Sequence, residues 1–129
     1  MDAIVIGAGP TGLAVAACLR CEGISTRVIE RATDVGSSWR GHYDSLHQHT
    51  SRRRSGLPMM PMPRHLPQFP ARDDVVAYLE AYAAQYLPDI VFGSTVQGVS
   101  DEGGIWRVMH EKGEDRAPIV VVATGLNGT

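Results

Sequence analysis

The chain has 129 residues, with 14 acidic against 12 basic side chains and a formal net charge of −2. That length suits one domain with a real core, burying roughly two-thirds of its unfolded surface. The near-balanced charge excludes the global basic field of a nucleic-acid binder, and no run reaches the roughly 18 apolar residues of a membrane span.

Ala3 to Gly7 (AIVIG) is a short apolar run that reads as a strand. It is not the basic-then-apolar layout of a secretory signal, so a cytoplasmic location is expected. Gly7-Ala8-Gly9-Pro10-Thr11-Gly12 follows and fits G-x-G-x-x-G. An apolar segment from Leu13 to Cys21, closed by Gly23, reads as a helix, and Thr26 to Ile29 as a second strand ending at Glu30. Strand, glycine turn, helix, strand and acid make a dinucleotide-binding pattern. Gly7 allows the tight turn, Gly9 lets backbone approach a pyrophosphate, and Gly12 lets the helix pack close to the sheet. The helix N-terminus offers free N–H groups and a positive dipole end to phosphate. Glu30 stands 18 residues beyond Gly12, near the roughly 20 expected for an acid on a ribose hydroxyl.

Cys18 and Cys21 have C-x-x-C spacing, yet both fall inside this helix rather than at its N-terminus, where a redox pair would sit. No second pair completes a zinc site. Small buried helix residues are expected. Arg31 fits either a contact to adenine or a 2′-phosphate, or a solvated loop charge.

Residues 39–70 hold neither strand nor helix periodicity. Pro58, Pro61, Pro63, Pro67 and Pro70 exclude a helix or a sheet interior. Trp39, Tyr43, Leu46, Leu57, Met59, Met60, Met62, Leu66 and Phe69 make the segment too apolar for a disordered linker. An ordered Pro/Met-rich insertion wrapping one face is expected. His42, His47 and His49 match no zinc spacing, and no metal is expected. His49 fits either a hydrogen bond to a bound cofactor or a solvent-exposed loop position. Arg52, Arg53 and Arg54 read as a solvated turn or an interdomain contact, and there is no nucleophile elbow.

Residues 73–86 form the clearest helix, with Asp73 and Asp74 at its start, a stripe of Val75, Leu79, Tyr82 and Tyr86, and Pro88 beyond its end. Val91-Phe92 reads as a short strand. Thr95–Ser100, Ile105–Glu111 and Ala117–Ala123 read as strands, separated by hairpin signals at Gly103-Gly104 and Lys112-Gly113. The run from Pro118 to Ala123 suits a central parallel strand covered on both faces. The expected fold is a three-layer α/β domain. Ala3–Ile6, Thr26–Ile29, Val91–Phe92 and Ile119–Val122 form its parallel sheet, and an antiparallel meander packs as a separate layer.

GAGPTG with Glu30, the SSWRGHYDSLHQHT segment, the LPMMPMP and FPARDDVVAYLEAYA blocks and the terminal VVVATGLNGT together resemble the N-terminal part of a flavin-containing monooxygenase. The nearest branch is the YUCCA-type enzymes and their bacterial relatives, and the resemblance runs over the whole chain. It implies a glutathione-reductase-like, three-layer ββα FAD domain of the Rossmann type, incomplete at its C-terminus. Residues 1–129 would be the N-terminal part of that domain. The NADPH domain and the returning part of the FAD domain would lie outside the chain.

The resemblance further implies that Gly7, Gly9, Pro10, Thr11, Gly12 and Glu30 hold the ADP half of FAD. Trp39, Leu46, His49 and Thr50 would approach the flavin half, and Ala123, Thr124 and Gly125 form the family's ATG turn. Arg31, Ser38 and Val96 complete the candidate cofactor contacts. His49 occupies the place where many of these enzymes carry an asparagine over the flavin, and is the candidate catalytic residue. The implied activity is oxygen transfer: NADPH reduces FAD, the reduced flavin takes up O2 as a C4a-hydroperoxyflavin, and one oxygen passes to a small organic substrate. The other readings are a stand-alone, non-catalytic FAD/NAD(P)-binding module and a different flavin-dependent NAD(P) oxidoreductase. A short NAD-dependent dehydrogenase lacks its acid–base set here. Self-association through the apolar 57–69 loop is expected, with no nucleic-acid or membrane partner.

Overall fold

A computed structural model describes residues 1–33, 35, 72–86 and 89–124. Its elements in chain order are β1 (Ala3–Ile6), α1 (Pro10–Cys21), β2 (Thr26–Ile29), α2 (Arg72–Tyr86), β3 (Ile90–Val91), β4 (Val96–Asp101), β5 (Trp106–His110), β6 (Gly113–Ala117) and β7 (Ile119–Val122). β3-β2-β1-β7 form a four-stranded parallel sheet, and β4-β5-β6 a separate antiparallel one.

The pleat of β1 and β2 divides the core into two. Val5 and Val28 face α1 and α2, where they meet Leu13, Ala16, Ala17, Val75, Leu79 and Tyr82. Ile4, Ile6 and Ile29 face the antiparallel sheet, where they meet Val108 and Ala117. Successive strand residues point to opposite faces, and both faces of the parallel sheet are covered, so β1 is buried throughout. The result is three layers: helices, parallel sheet, antiparallel sheet. β1 pairs with β7 in the register Val5↔Val121, which places Ile4 and Val121 on neighbouring strands as expected.

The expected stripe of α2 packs inward: Val75, Leu79 and Tyr82 are buried and Tyr86 packs against them. Four details differ from expectation. β7, expected as a central strand covered on both faces, is an edge strand of the sheet, paired only with β1 among the described residues, and its Ile119 and Val122 are exposed. The third parallel strand is Ile90–Val91, and Phe92 lies past its end, packed on the helix-side core. Residues 113–117, read above as a turn and the start of the last strand, form β6, which is separated from β7 by Pro118. GEDRA is polar, but its strand is paired along β5. Arg107–Glu114 joins the two strands, and Arg116–Glu102 ties β6 to the residue after β4. Cys18 and Cys21 are exposed rather than buried. The core face of α1 is Leu13, Ala16 and Ala17, at i, i+3 and i+4; Cys18 falls off that face, and Cys21 lies in the helix's last turn.

The 39–70 insertion lies outside the described residues, as do Ser38, Trp39, Leu46, His49, Thr50, Pro88 and Gly125.

Candidate dinucleotide-binding site

The C-terminal ends of β1, β2 and β7 meet beside the N-terminus of α1. Gly7 leaves β1 with φ 110°, in the region that L side chains avoid. A Cβ there would stand 2.5 Å from the Ala123 carbonyl oxygen. A Cβ on Gly12 would fall on the Gly7 carbonyl oxygen and touch the Ala123 side chain. The two glycines therefore let the strand–helix turn close against the segment that follows β7. Ala123 is fixed there by its N–H, which donates to Ile6 O at 2.8 Å.

Gly9 is different. Its backbone, φ −76° and ψ −179°, is one that any residue adopts, and a Cβ on it would meet nothing within 4 Å. Neither its conformation nor packing among the described residues calls for glycine at this position. Gly9 is the N-cap of α1, with Pro10 in its first turn and no side-chain cap. A helix N-terminus without a side-chain cap, with none of the described residues against it, fits a phosphate group that needs close backbone approach.

Glu30 closes the other side. Its Oε1 accepts the Ala8 N–H and its Oε2 the Ala32 N–H, each at 2.7 Å. Its own N–H donates to Val91 O, and its carbonyl accepts the Ser94 N–H. The carboxylate is half-buried, and each oxygen has a further lone pair for a ribose hydroxyl.

Gly7, Gly9, Pro10, Thr11, Gly12, Glu30, Ala123 and Thr124 are thus gathered at one end of the parallel sheet. Arg31 follows Glu30 on an exposed turn. Val96 opens β4 two residues after Ser94 and packs on the meander-side core. Among the described residues, no cluster of His, Cys, Asp and Glu could hold a metal ion.

One constellation escaped the sequence reading. Ser94 Oγ lies 2.6 Å from His110 Nδ1, and His110 Nε2 lies 3.0 Å from Asp115 Oδ2. Asp115 also accepts from Arg27 Nη1 at 3.0 Å, and Arg27 Nε reaches Asp89 at 3.1 Å. Partial burial works against the Arg27 charge, but Asp115 and Asp89 outweigh it and raise its pKa. Ser94 has the partners of a nucleophile but not the access. It is 1% exposed, and its Oγ already accepts the Lys112 N–H. The only hint in the sequence is alternation: Val108 and His110 on β5, and Asp115 and Ala117 on β6, all point inward.

A parallel sheet with a glycine turn, a helix N-terminus and an acid at the next strand end defines a dinucleotide-binding domain of the Rossmann class. The chain belongs to the pyridine nucleotide-disulphide oxidoreductase family, whose pattern matches residues 4–128. It is 43% identical over 129 residues to indole-3-pyruvate monooxygenase YUCCA1 of Oryza sativa subsp. japonica, covering 97% of this chain and 32% of that protein. It is 39% identical to a probable indole-3-pyruvate monooxygenase, YUCCA4 of Arabidopsis thaliana, covering 96% and 31%. Among solved structures it resembles the flavin-containing monooxygenase from Stenotrophomonas maltophilia, with TM-score 0.88 and 34% identity, over 95% of this chain and 38% of that one. A steroid monooxygenase bound to NADP superposes with TM-score 0.86 at 28% identity, over 96% and 26%. The chain thus spans 31–32% of the length of these two plant relatives. No helix among the described residues is long and apolar enough to cross a membrane.

Proposed function

We propose that this chain is the FAD-binding portion of an NADPH-dependent flavin monooxygenase acting on a small organic substrate with O2. The observation that carries the reading is the open, uncapped α1 N-terminus at Gly9, faced by Glu30 at the end of β2. The monooxygenase relatives supply the reaction class.

In this reading the N–H groups of the first turn of α1 and the dipole of the helix hold the pyrophosphate. Glu30 accepts from the adenosine ribose while keeping the turn in place through Ala8. Thr124 continues the wall beyond β7, and Gly125 is assigned to the cofactor contacts. Arg31 and Val96 flank the adenosine half, and Ser38, Trp39, Leu46, His49 and Thr50 belong to the flavin half, with His49 donating to the ring. When bound, FAD supplies hydride acceptance and oxygen activation, and the chain's residues bind, orient and exclude water. NADPH is assigned to a further domain outside residues 1–129, and the location to the cytoplasm.

The test is flavin reconstitution. The purified chain is mixed with excess FAD, desalted, and its flavin absorbance measured. Retention near one FAD per chain, reduced by excess ADP, supports the reading. Retention of NAD(P)H in place of FAD would favour a different oxidoreductase, and retention of neither would sink it.

A further inference from the structure

Glu30 lies where the β2 ladder ends, and the 93–94 turn holds its backbone. The Ser94 N–H donates to the Glu30 carbonyl at 3.0 Å, and the Gly93 N–H donates to the Ala32 carbonyl at 2.7 Å. These bonds grip the chain on both sides of the carboxylate that holds Ala8 and Ala32. The turn is itself anchored from below. Ser94 Oγ meets His110 Nδ1 and accepts the Lys112 N–H, and His110 continues to Asp115, Arg27 and Asp89. The line is satisfied when Nε2–H donates to Asp115, the Ser94 hydroxyl donates to Nδ1, and the Ser94 oxygen accepts from Lys112, an assignment made from the network. Ser94 and His110 are 1% and 7% exposed. A buried polar network with every member satisfied is rigid, because each alternative leaves a buried group unpaired.

We propose that Ser94, held by His110, is a positioning residue for the adenosine half of the bound dinucleotide. It fixes the 93–94 turn, the turn fixes Glu30 and Ala32, and the Glu30 carboxylate thereby stays aimed at both the glycine turn and the ribose. The proposal rests on the dinucleotide reading above. It extends that site into the antiparallel layer, so that β5 and β6 take part in ligand affinity without touching ligand.

Two measurements test it. The first needs no ligand: amide hydrogen exchange of the FAD-free chain carrying Ser94→Ala. Protection of the Ala8 and Ala32 amides should fall about three- to tenfold, the worth of one neutral hydrogen bond. Val5 and Val28 in the sheet interior should change less. A merely structural Ser94 would lower all four together, and unchanged protection at Ala8 and Ala32 would overturn the proposal outright. The second is a double-mutant cycle on FAD affinity. Ser94→Ala should weaken FAD about three- to tenfold. In the Glu30→Ala background the same change should have less than about a twofold effect. Equal effects in both backgrounds would remove Glu30 from the route and overturn the proposal. Should Ser94→Ala unfold the chain, the paired Ser94→Ala, His110→Phe change removes both buried partners at once and is read in the same way. A wild-type chain that binds no FAD, with the exchange response intact, would defeat the dinucleotide reading and leave Glu30 positioning standing.

Discussion

Glu30 Oε1 accepts the Ala8 N–H at 2.7 Å, which ties the end of β2 to the turn between β1 and α1. The second oxygen holds the Ala32 N–H at the same distance. The acid therefore shapes the site before any ligand arrives. Glu30→Ala removes both acceptors and the ribose partner together. FAD affinity should fall roughly tenfold to a hundredfold, the worth of one charge-assisted hydrogen bond of about 1.5–3 kcal/mol. Thermal stability should fall as well, because two N–H groups lose their partner. Glu30→Gln keeps one oxygen acceptor and should fall between wild type and Glu30→Ala on both measures. Fluorescence titration with FAD and a thermal melt check this, and unchanged FAD affinity in Glu30→Ala would take Glu30 out of the site.

The glycine turn and Glu30 were legible because their chemistry is local. Three glycines and an acid at fixed spacing state their purpose within about thirty residues. β1 was legible because AIVI is an apolar run without alternation, as a strand covered on both faces must be. IVVV has the same composition but forms the exposed edge strand β7, because composition does not say which strand lies at the edge. β6 was not legible, since GEDRA has no strand composition. Arg107–Glu114 and Arg116–Glu102 are cross-strand facts that appear only once the strands are paired. The cysteines were misplaced for a related reason. LAVAAC is small and apolar on every side, so periodicity does not say which face packs inward. The Ser94–His110–Asp115 line was hard to see because its members lie in a turn and two separate strands and carry no motif beyond the alternation of β5 and β6.

Tyr82 gives a test of packing. It is fully buried between α1 and the sheet, and its hydroxyl has no hydrogen-bond partner among the described residues. Burial pushes that hydroxyl up to about 12, with smaller contributions from Cys18, Tyr78, Tyr86 and Cys21. An unmatched buried hydroxyl costs about 1–3 kcal/mol. Tyr82→Phe keeps the ring, including its tilted contacts to Tyr78 and Tyr86, and should raise stability by about 1 kcal/mol, a few degrees in Tm. A clear loss of stability would mean that the hydroxyl is partnered in solution.

Glu111 gives a test by pH. Its carboxylate accepts the Thr95 N–H at 2.8 Å, and this bond, with Lys112 nearby, lowers its pKa below the ordinary 4.5. A folded-state pKa below the unfolded one stabilises the fold above about pH 4.5. That contribution disappears as pH falls through the lowered folded value. Glu111→Gln should therefore narrow the gap to wild type as pH drops from 6 to about 3. The side chain is exposed, so the effect should be small and should shrink further with added salt. Urea melts at both pH values measure it, and a gap that stays constant would show that Glu111 is not coupled to folding.

Gly9 and Gly12 should separate binding from folding. At Gly12 a Cβ would fall on the Gly7 carbonyl oxygen, which is backbone in a turn already pinned by Gly7 N–H to Ile29 O. Neither partner can give way, so Gly12→Ala should destabilise the chain by about 2–4 kcal/mol, as overpacking against backbone does. At Gly9 a Cβ would meet none of the described residues within 4 Å, and the backbone is unstrained. Gly9→Val should therefore leave Tm within a few degrees of wild type, since surface changes usually stay within about 0.5 kcal/mol and only the cap preference of glycine is lost. The added side chain would nonetheless project into the space that a pyrophosphate needs, and FAD binding should be lost. Paired melts and FAD titrations of the two variants read the split directly. A Gly9→Val chain that still retains stoichiometric FAD would show that the ligand does not sit on the α1 N-terminus. A Gly9→Val chain that fails to fold would show that Gly9 is required by packing that the open space beside it does not suggest.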